Sequence, residues 1–102
     1  MTSARLEVRF TAEARRWIDG LRDRIARDKV VTRLDALSAG RFGDWKSVGD
    51  GVSELRIHYG PGYRLYFTRR GDVVIVVLLG GDKDGQSRDI ARAKAIAAGL
   101  DV

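Results

Sequence analysis

With 102 residues, 44% apolar and 32% charged, the chain can build one hydrophobic core and is too short for two domains, so a single domain over 1–102 is expected. The absence of cysteine and the presence of one histidine exclude a disulfide framework, thiolate chemistry and the usual zinc ligand sets within one chain. A formal charge of +5, from 19 basic against 14 acidic residues, favours an anionic partner such as nucleic acid, although a merely basic surface would give the same total.

The first ten residues, "MTSARLEVRF", lack the apolar stretch of a signal peptide, and the longest apolar run, Val73 to Leu79, is too short to span a bilayer. A cytoplasmic location without a membrane partner is therefore expected. Within residues 5–10, Leu6, Val8 and Phe10 alternate with Arg5, Glu7 and Arg9, as in a half-buried strand. Thr11 follows as an N-cap, and Ala14, Trp17, Ile18, Leu21 and Ile25 recur at helical spacing. Gly20 interrupts that stripe and the later set, Ala26, Val30, Leu34 and Leu37, runs on a shifted phase, so two helices are expected over about 12–19 and 21–38, with Gly40 as the stop.

Residues 40–51, "GRFGDWKSVGDG", hold four glycines and no sustained period, which predicts a loop anchored by Phe42 and Trp45. Strands are expected over about 52–59, 63–69 and 73–79. The last, "VVIVVLL", is apolar on both faces and reads as a central strand that needs cover on each side, part of which a partner could supply. "GGDKDGQ" lacks the spacing of a phosphate-binding loop and reads as a turn before a final helix over about 85–98, which Asp84 would cap. The order β-α-α-β-β-β-α gives an α+β fold: an antiparallel sheet packed against two N-terminal helices, with a C-terminal helix.

The segment "ELRIHYGPGYRLYF", residues 54–67, carries the chemistry. Matching faces across a hairpin places Leu55, Ile57, Tyr59, Tyr63, Leu65 and Phe67 inward, and Glu54, Arg56, His58, Arg64, Tyr66 and Thr68 on the other face. Pairing on a residue sum of 122 leaves Gly60, Pro61 and Gly62 as the loop and sets His58 against Arg64 and Arg56 against Tyr66. A type II turn centred on Pro61 and Gly62 suits the local sequence better, which leaves the register open by a residue or two. Two guanidiniums, an imidazole and a phenol on one face suit a phosphodiester. RNA cleavage without a metal needs a base for the 2′-hydroxyl, an acid for the leaving 5′-oxygen and fixed positive charge beside the transition state. Histidine is the side chain suited to proton transfer near neutrality; Arg56, Arg64 and Lys83 would supply charge, and Tyr66 would stack on a base or hold a phosphate oxygen. On residue types alone, a solvated strand face is the commoner origin of such a grouping.

Two blocks, "GVSELRIHYGPGYRLYF" and "LGGDKDGQSRDIARAKAIA", together with the element order, resemble the RelE/ParE superfamily of bacterial type II toxins, most closely its HigB-like branch of addiction module killer or phage Gp49-like proteins. The resemblance covers nearly the whole chain. It implies a RelE-like fold and a toxin that a small helix-turn-helix antitoxin, HigA-like, holds inactive, with DNA met only through that antitoxin. It further implies an endoribonuclease that cleaves messenger RNA on the ribosome without a cofactor. Arg64 matches the family's phosphate-contacting arginine, Lys83 falls near its second basic position, and Arg56 lies where relatives carry a basic residue. Lys46 and Arg88 join Tyr66 as expected RNA contacts. The family's tyrosine after the last strand is replaced by Gln86, Ser87, Arg88 and Asp89, and the terminal histidine of other members by Leu100, Asp101 and Val102, leaving His58 and Asp82 as acid or base. Relatives with this fold also inhibit DNA gyrase by binding, and a non-toxic member acting only in a repressor complex is a third reading.

Overall fold

The computed structural model describes residues 5–100. Strand β1 (Glu7–Phe10) leads into helices α1 (Ala12–Asp19) and α2 (Arg24–Ser38). Four strands follow, β2 (Trp45–Gly49), β3 (Val52–Ile57), β4 (Tyr63–Arg70) and β5 (Val74–Asp82), and helix α3 (Gln86–Ala98) closes the chain. They form one five-stranded sheet in the order β1-β5-β4-β3-β2. From β2 to β5 the sheet is an antiparallel meander, and β1 joins its far edge parallel to β5, Val8 opposite Ile75.

Local chemistry explains the helix ends. The Thr11 hydroxyl accepts the Ala14 N–H at 3.0 Å and donates to the Leu78 carbonyl at 2.6 Å, so the cap also ties α1 to β5. The break between α1 and α2 falls at Gly20, and Asp23 restarts the helix by accepting the N–H groups of Ile25 at 2.9 Å and Ala26 at 3.3 Å. Asp84, expected to cap α3, does not. Gly85 occupies the cap position without a side-chain bond, and the Asp82 carboxylate accepts the N–H groups of Asp84 and Gly85.

The predicted loop over 40–51 needs correction, because residues 45–49 form β2. This strand pairs with β3 through its backbone, carries an irregularity between Ser47 and Gly49, and leaves Trp45 46% exposed. An edge strand solvated on both faces has no apolar alternation for a sequence pattern to detect. Phe42 is the anchor of this region, its ring edge-on to Phe67 at 5.7 Å and to Trp45 at 5.8 Å. The Arg33 guanidinium donates to the carbonyls of Arg56, Phe42 and Asp44, fastening the segment between α2 and β2 to the sheet.

The sheet has two buried faces. On one, α1 and α2 cover Leu55, Ile57, Leu65, Phe67, Ile75 and Val77; on the other, α3 covers Val52, Tyr66, Val76 and Leu78. Ile75, Val76, Val77 and Leu78 are all at most 4% exposed, so the centre of β5, for which a partner could have supplied part of the cover, is covered within the chain. The chain's own helices suffice. No helix among the described residues is long and apolar enough to cross a membrane.

The face assignment for β3 and β4 holds, but the residue sum of opposite pairs is 120 rather than 122: Glu54 faces Tyr66, Leu55 faces Leu65 and Arg56 faces Arg64. His58 therefore lies beyond the end of β3, in a connection of residues 58–62. The Gly62 N–H reaches the Tyr59 carbonyl at 3.1 Å, which centres the turn on Gly60 and Pro61, with φ at Gly60 of 56°. Glycine supplies the left-handed backbone there, and proline follows without being forced into a ladder.

Candidate active-site face

The face of β3 and β4 that lies under α3 gathers the candidate residues, and its centre is a carboxylate. Glu54 is completely buried. Its Oε1 stands 3.1 Å from Arg56 Nε and 3.3 Å from Arg64 Nε, and its Oε2 accepts the Gln86 side-chain amide at 2.8 Å. Arg56 and Arg64 are cross-strand partners, so their guanidiniums converge from adjacent strands on one acceptor. Arg64 is largely buried and its Nη1 also donates to the Gly62 carbonyl at 3.0 Å; the Arg56 side chain is 28% exposed.

The far side of Arg64 is Gly81 on β5. A Cβ on Gly81 would meet Asp89 Oδ2 at 2.1 Å, so the missing side chain is what lets the first turn of α3 lower this carboxylate onto the sheet. Burial raises the Asp89 carboxyl above the ordinary aspartate value, partly opposed by the Arg88 charge, and Asp82 adds to the rise. Tyr66 lies in the same layer with its hydroxyl buried and, among the described residues, unpartnered; burial, then the Glu54 and Asp89 charges, push its ionisation up.

At the turn end of the hairpin a groove of about 400 Å³ runs past the 59–62 turn, lined by His58, Arg64 and Lys83. Three of the predicted residues thus meet at one groove, with Arg56 one strand away. His58 is exposed and pairs with the Asp44 carboxylate, whose pKa this bond lowers. It rims the groove from the turn and does not share the strand face with Arg56, since the two-residue register difference moves it past the end of the strand.

Tyr66 requires a second correction. Its side chain is completely buried among Val52, Val76, Leu78 and Ala93, so neither ring face is open to stack on a base. The sequence alone places tyrosine on that face but cannot say that α3 covers it. Lys46 is exposed on β2 opposite Glu54, and Arg88 projects into solvent from the start of α3, its side chain 84% exposed. Neither lines the groove. Glu54 and Gln86 were not singled out as site residues from sequence. The available signal was a carboxylate on the same strand face as the arginine of "ELR" and, across the hairpin, that of "GYR".

A family model described as "Phage derived protein Gp49-like (DUF891)" matches residues 16–98. A protein of Haemophilus influenzae, itself described as uncharacterized, is 40% identical over 95 residues, 93% of this chain and 96% of that protein. Among solved structures, a free-state mutant of the Escherichia coli toxin RelE superposes with a TM-score of 0.72, covering 94% of this chain and 99% of that one at 17% identity. At that identity the likeness speaks for the fold.

Proposed function

Because this chain belongs to the Gp49-like family of the RelE/ParE-like toxin group, and is thus a toxin of the kind that pairs with an antitoxin, we propose that it is a messenger RNA endonuclease. We take its RNA substrate to be presented on the ribosome and its antitoxin to be a HigA-like helix-turn-helix protein. The observation that carries the reading is the meeting of Arg64 and Lys83 in the groove beside the hairpin turn, with Arg56 paired to Arg64 on the adjacent strand. Guanidiniums donate in pairs along one edge and match the two non-bridging oxygens of a phosphodiester.

In this reading the RNA backbone enters the groove beside the 59–62 turn. Arg64 binds the scissile phosphate, and Arg56 and Lys83 stabilise the charge that builds on its oxygens as the 2′-oxygen attacks. A base takes the 2′-hydroxyl proton, the bond from phosphorus to the 5′-oxygen breaks, and an acid returns a proton to that oxygen, leaving a cyclic phosphate and a 5′-hydroxyl. His58, on the groove rim with Asp44 behind it, is the candidate for one of these transfers. Lys46 and Arg88, exposed outside the groove, contribute general attraction for the flanking backbone.

The test is induction of the chain without antitoxin, followed by primer extension on cellular RNA. The expected result is growth arrest with new 5′-ends inside coding regions, abolished by Arg64→Ala while antitoxin binding persists. Arrest with intact messenger RNA and gyrase-dependent DNA damage would replace the nuclease with a gyrase inhibitor. Absence of arrest would leave a repressor component. Full toxicity of Arg64→Ala would remove Arg64 from the mechanism.

A further inference from the structure

Glu54 presents a physical problem. A completely buried carboxylate on a sheet face otherwise packed with Val52, Tyr66, Val76 and Leu78 is an expensive way to fill space, and an apolar residue of similar volume would serve stability as well or better. Its partners suggest what the carboxylate does instead. Arg56 donates its inner guanidinium nitrogen, Nε, to Oε1 at 3.1 Å, and Arg64 Nε stands as an ion pair 3.3 Å from the same oxygen without completing a hydrogen bond. The other oxygen is held by Gln86 from the first residue of α3, at 2.8 Å. Three elements that meet only in the folded chain thus converge on one side chain.

Engagement through Nε has a directional consequence. A guanidinium is planar, so fixing Nε on a buried acceptor fixes where its terminal nitrogens point. Among the described residues Arg56 makes no other side-chain bond, and Arg64 spends only Nη1, on the carbonyls of Gly62 and Tyr63. Exposure rises outward from the acceptor, from none at the Glu54 side chain to 10% at Arg64 and 28% at Arg56. The anchor is dry, Arg64 lines the groove beside the hairpin turn, and Arg56 reaches solvent from the neighbouring strand. Left unanchored, both arginines would have to be ordered by the substrate itself, and that entropy would be lost in the chemical step.

We propose that Glu54 is a positioning residue of the phosphate-binding site: held by Gln86, its carboxylate takes the Nε–H of Arg56 and pairs with the charge of Arg64, so that both guanidiniums are already placed for one phosphodiester. This rests on the nuclease reading above. Glu54 touches no substrate atom and transfers no proton; it acts through the two arginines.

The experiment compares wild type, Glu54→Gln and Gln86→Ala by three readouts: the side-chain Nε–H NMR signals of Arg56 and Arg64, affinity for an RNA made uncleavable by 2′-deoxy substitution, and the cleavage rate at saturating substrate. The wild type is expected to show protected, slowly exchanging signals for both arginines. Glu54→Gln should broaden them, keep or strengthen RNA affinity because one negative charge is gone, and slow saturated cleavage on the order of 100-fold. Gln86→Ala, which leaves every charge in place at the edge of the site, should give the same pattern more weakly. A merely structural Glu54 would instead lower thermal stability, affinity and rate together, and that result overturns the proposal. So does Glu54→Gln cleaving at the wild-type rate. A wild type that cleaves no RNA refutes the nuclease; the arginine signals still judge the anchor, which falls if they are unprotected in wild type or unchanged in Glu54→Gln.

Discussion

The Tyr66 hydroxyl is desolvated and has no partner among the described residues, a state that costs free energy which the phenyl ring of phenylalanine would not incur. Tyr66→Phe should therefore leave stability within about 1 kcal/mol of wild type or raise it, as read from urea denaturation. Growth arrest should survive the change, since the ring contributes packing beneath α3 and no stacking surface. Gly80 sits one residue before Gly81 and faces the opposite way: a Cβ there would stand 2.1 Å from Trp17 Cε3. Gly80→Ala should thus destabilise the chain by about 1–3 kcal/mol, with Trp17 fluorescence reporting the displaced ring. That the two glycines of "LGGDKDG" are packing sites could not be read from their neighbours in the chain. The indole and the carboxylate that crowd them come from α1 and α3.

The elements themselves were more legible than the contacts between them. The caps at Thr11 and the stop near Gly40 follow from side-chain chemistry confined to one turn, and the helices begin and end close to where those residues place them. Strand β2 was illegible because it buries little and alternates in nothing. The hairpin register was missed by two residues because face matching fixes only parity, and any even shift satisfies it equally. What holds the observed connection is a contact outside the hairpin: the Tyr59 hydroxyl donates to Asp23 Oδ2 at 2.9 Å, joining the turn to the start of α2. That bond lowers the Asp23 pKa and raises that of Tyr59. A carboxylate whose folded pKa is depressed contributes stability above its unfolded value and loses it as pH falls. The stability difference between wild type and Tyr59→Phe should accordingly be present at neutral pH and shrink to nothing as acid protonates Asp23, in paired urea titrations at several pH values.

At the scale of the molecule, both sheet faces are covered from within, by α1 and α2 on one side and α3 on the other, and Arg92 on α3 pairs with Glu13 on α1 across the sheet edge. The isolated chain should therefore unfold in a single cooperative step without its antitoxin, with coincident transitions in far-UV circular dichroism and tryptophan fluorescence. Separate transitions would mean that α3 docks independently of the sheet. Glu13 and Asp44 also have lowered pKa values, from Arg92 and His58 respectively, and with Asp23 they make acid destabilising; Asp89, raised by burial, acts in the opposite sense. The candidate site was legible as a set of basic residues near one turn. Its buried half was not, because only the completed fold brings α3 over β3.

The parallel pairing of β1 with β5 carries this from equilibrium into time. Glu7 is the partner of Val74 and Phe10 of Val77, so the first strand has no neighbour in the sheet until β5 has been made. Gln86, which completes the grip on Glu54, emerges later still. A nascent chain therefore carries Arg56 and Arg64 before β5 and α3 exist to complete the face around them. The topology thus sets an order: the basic hairpin is made first, and the strand and helix that enclose its buried face come after it.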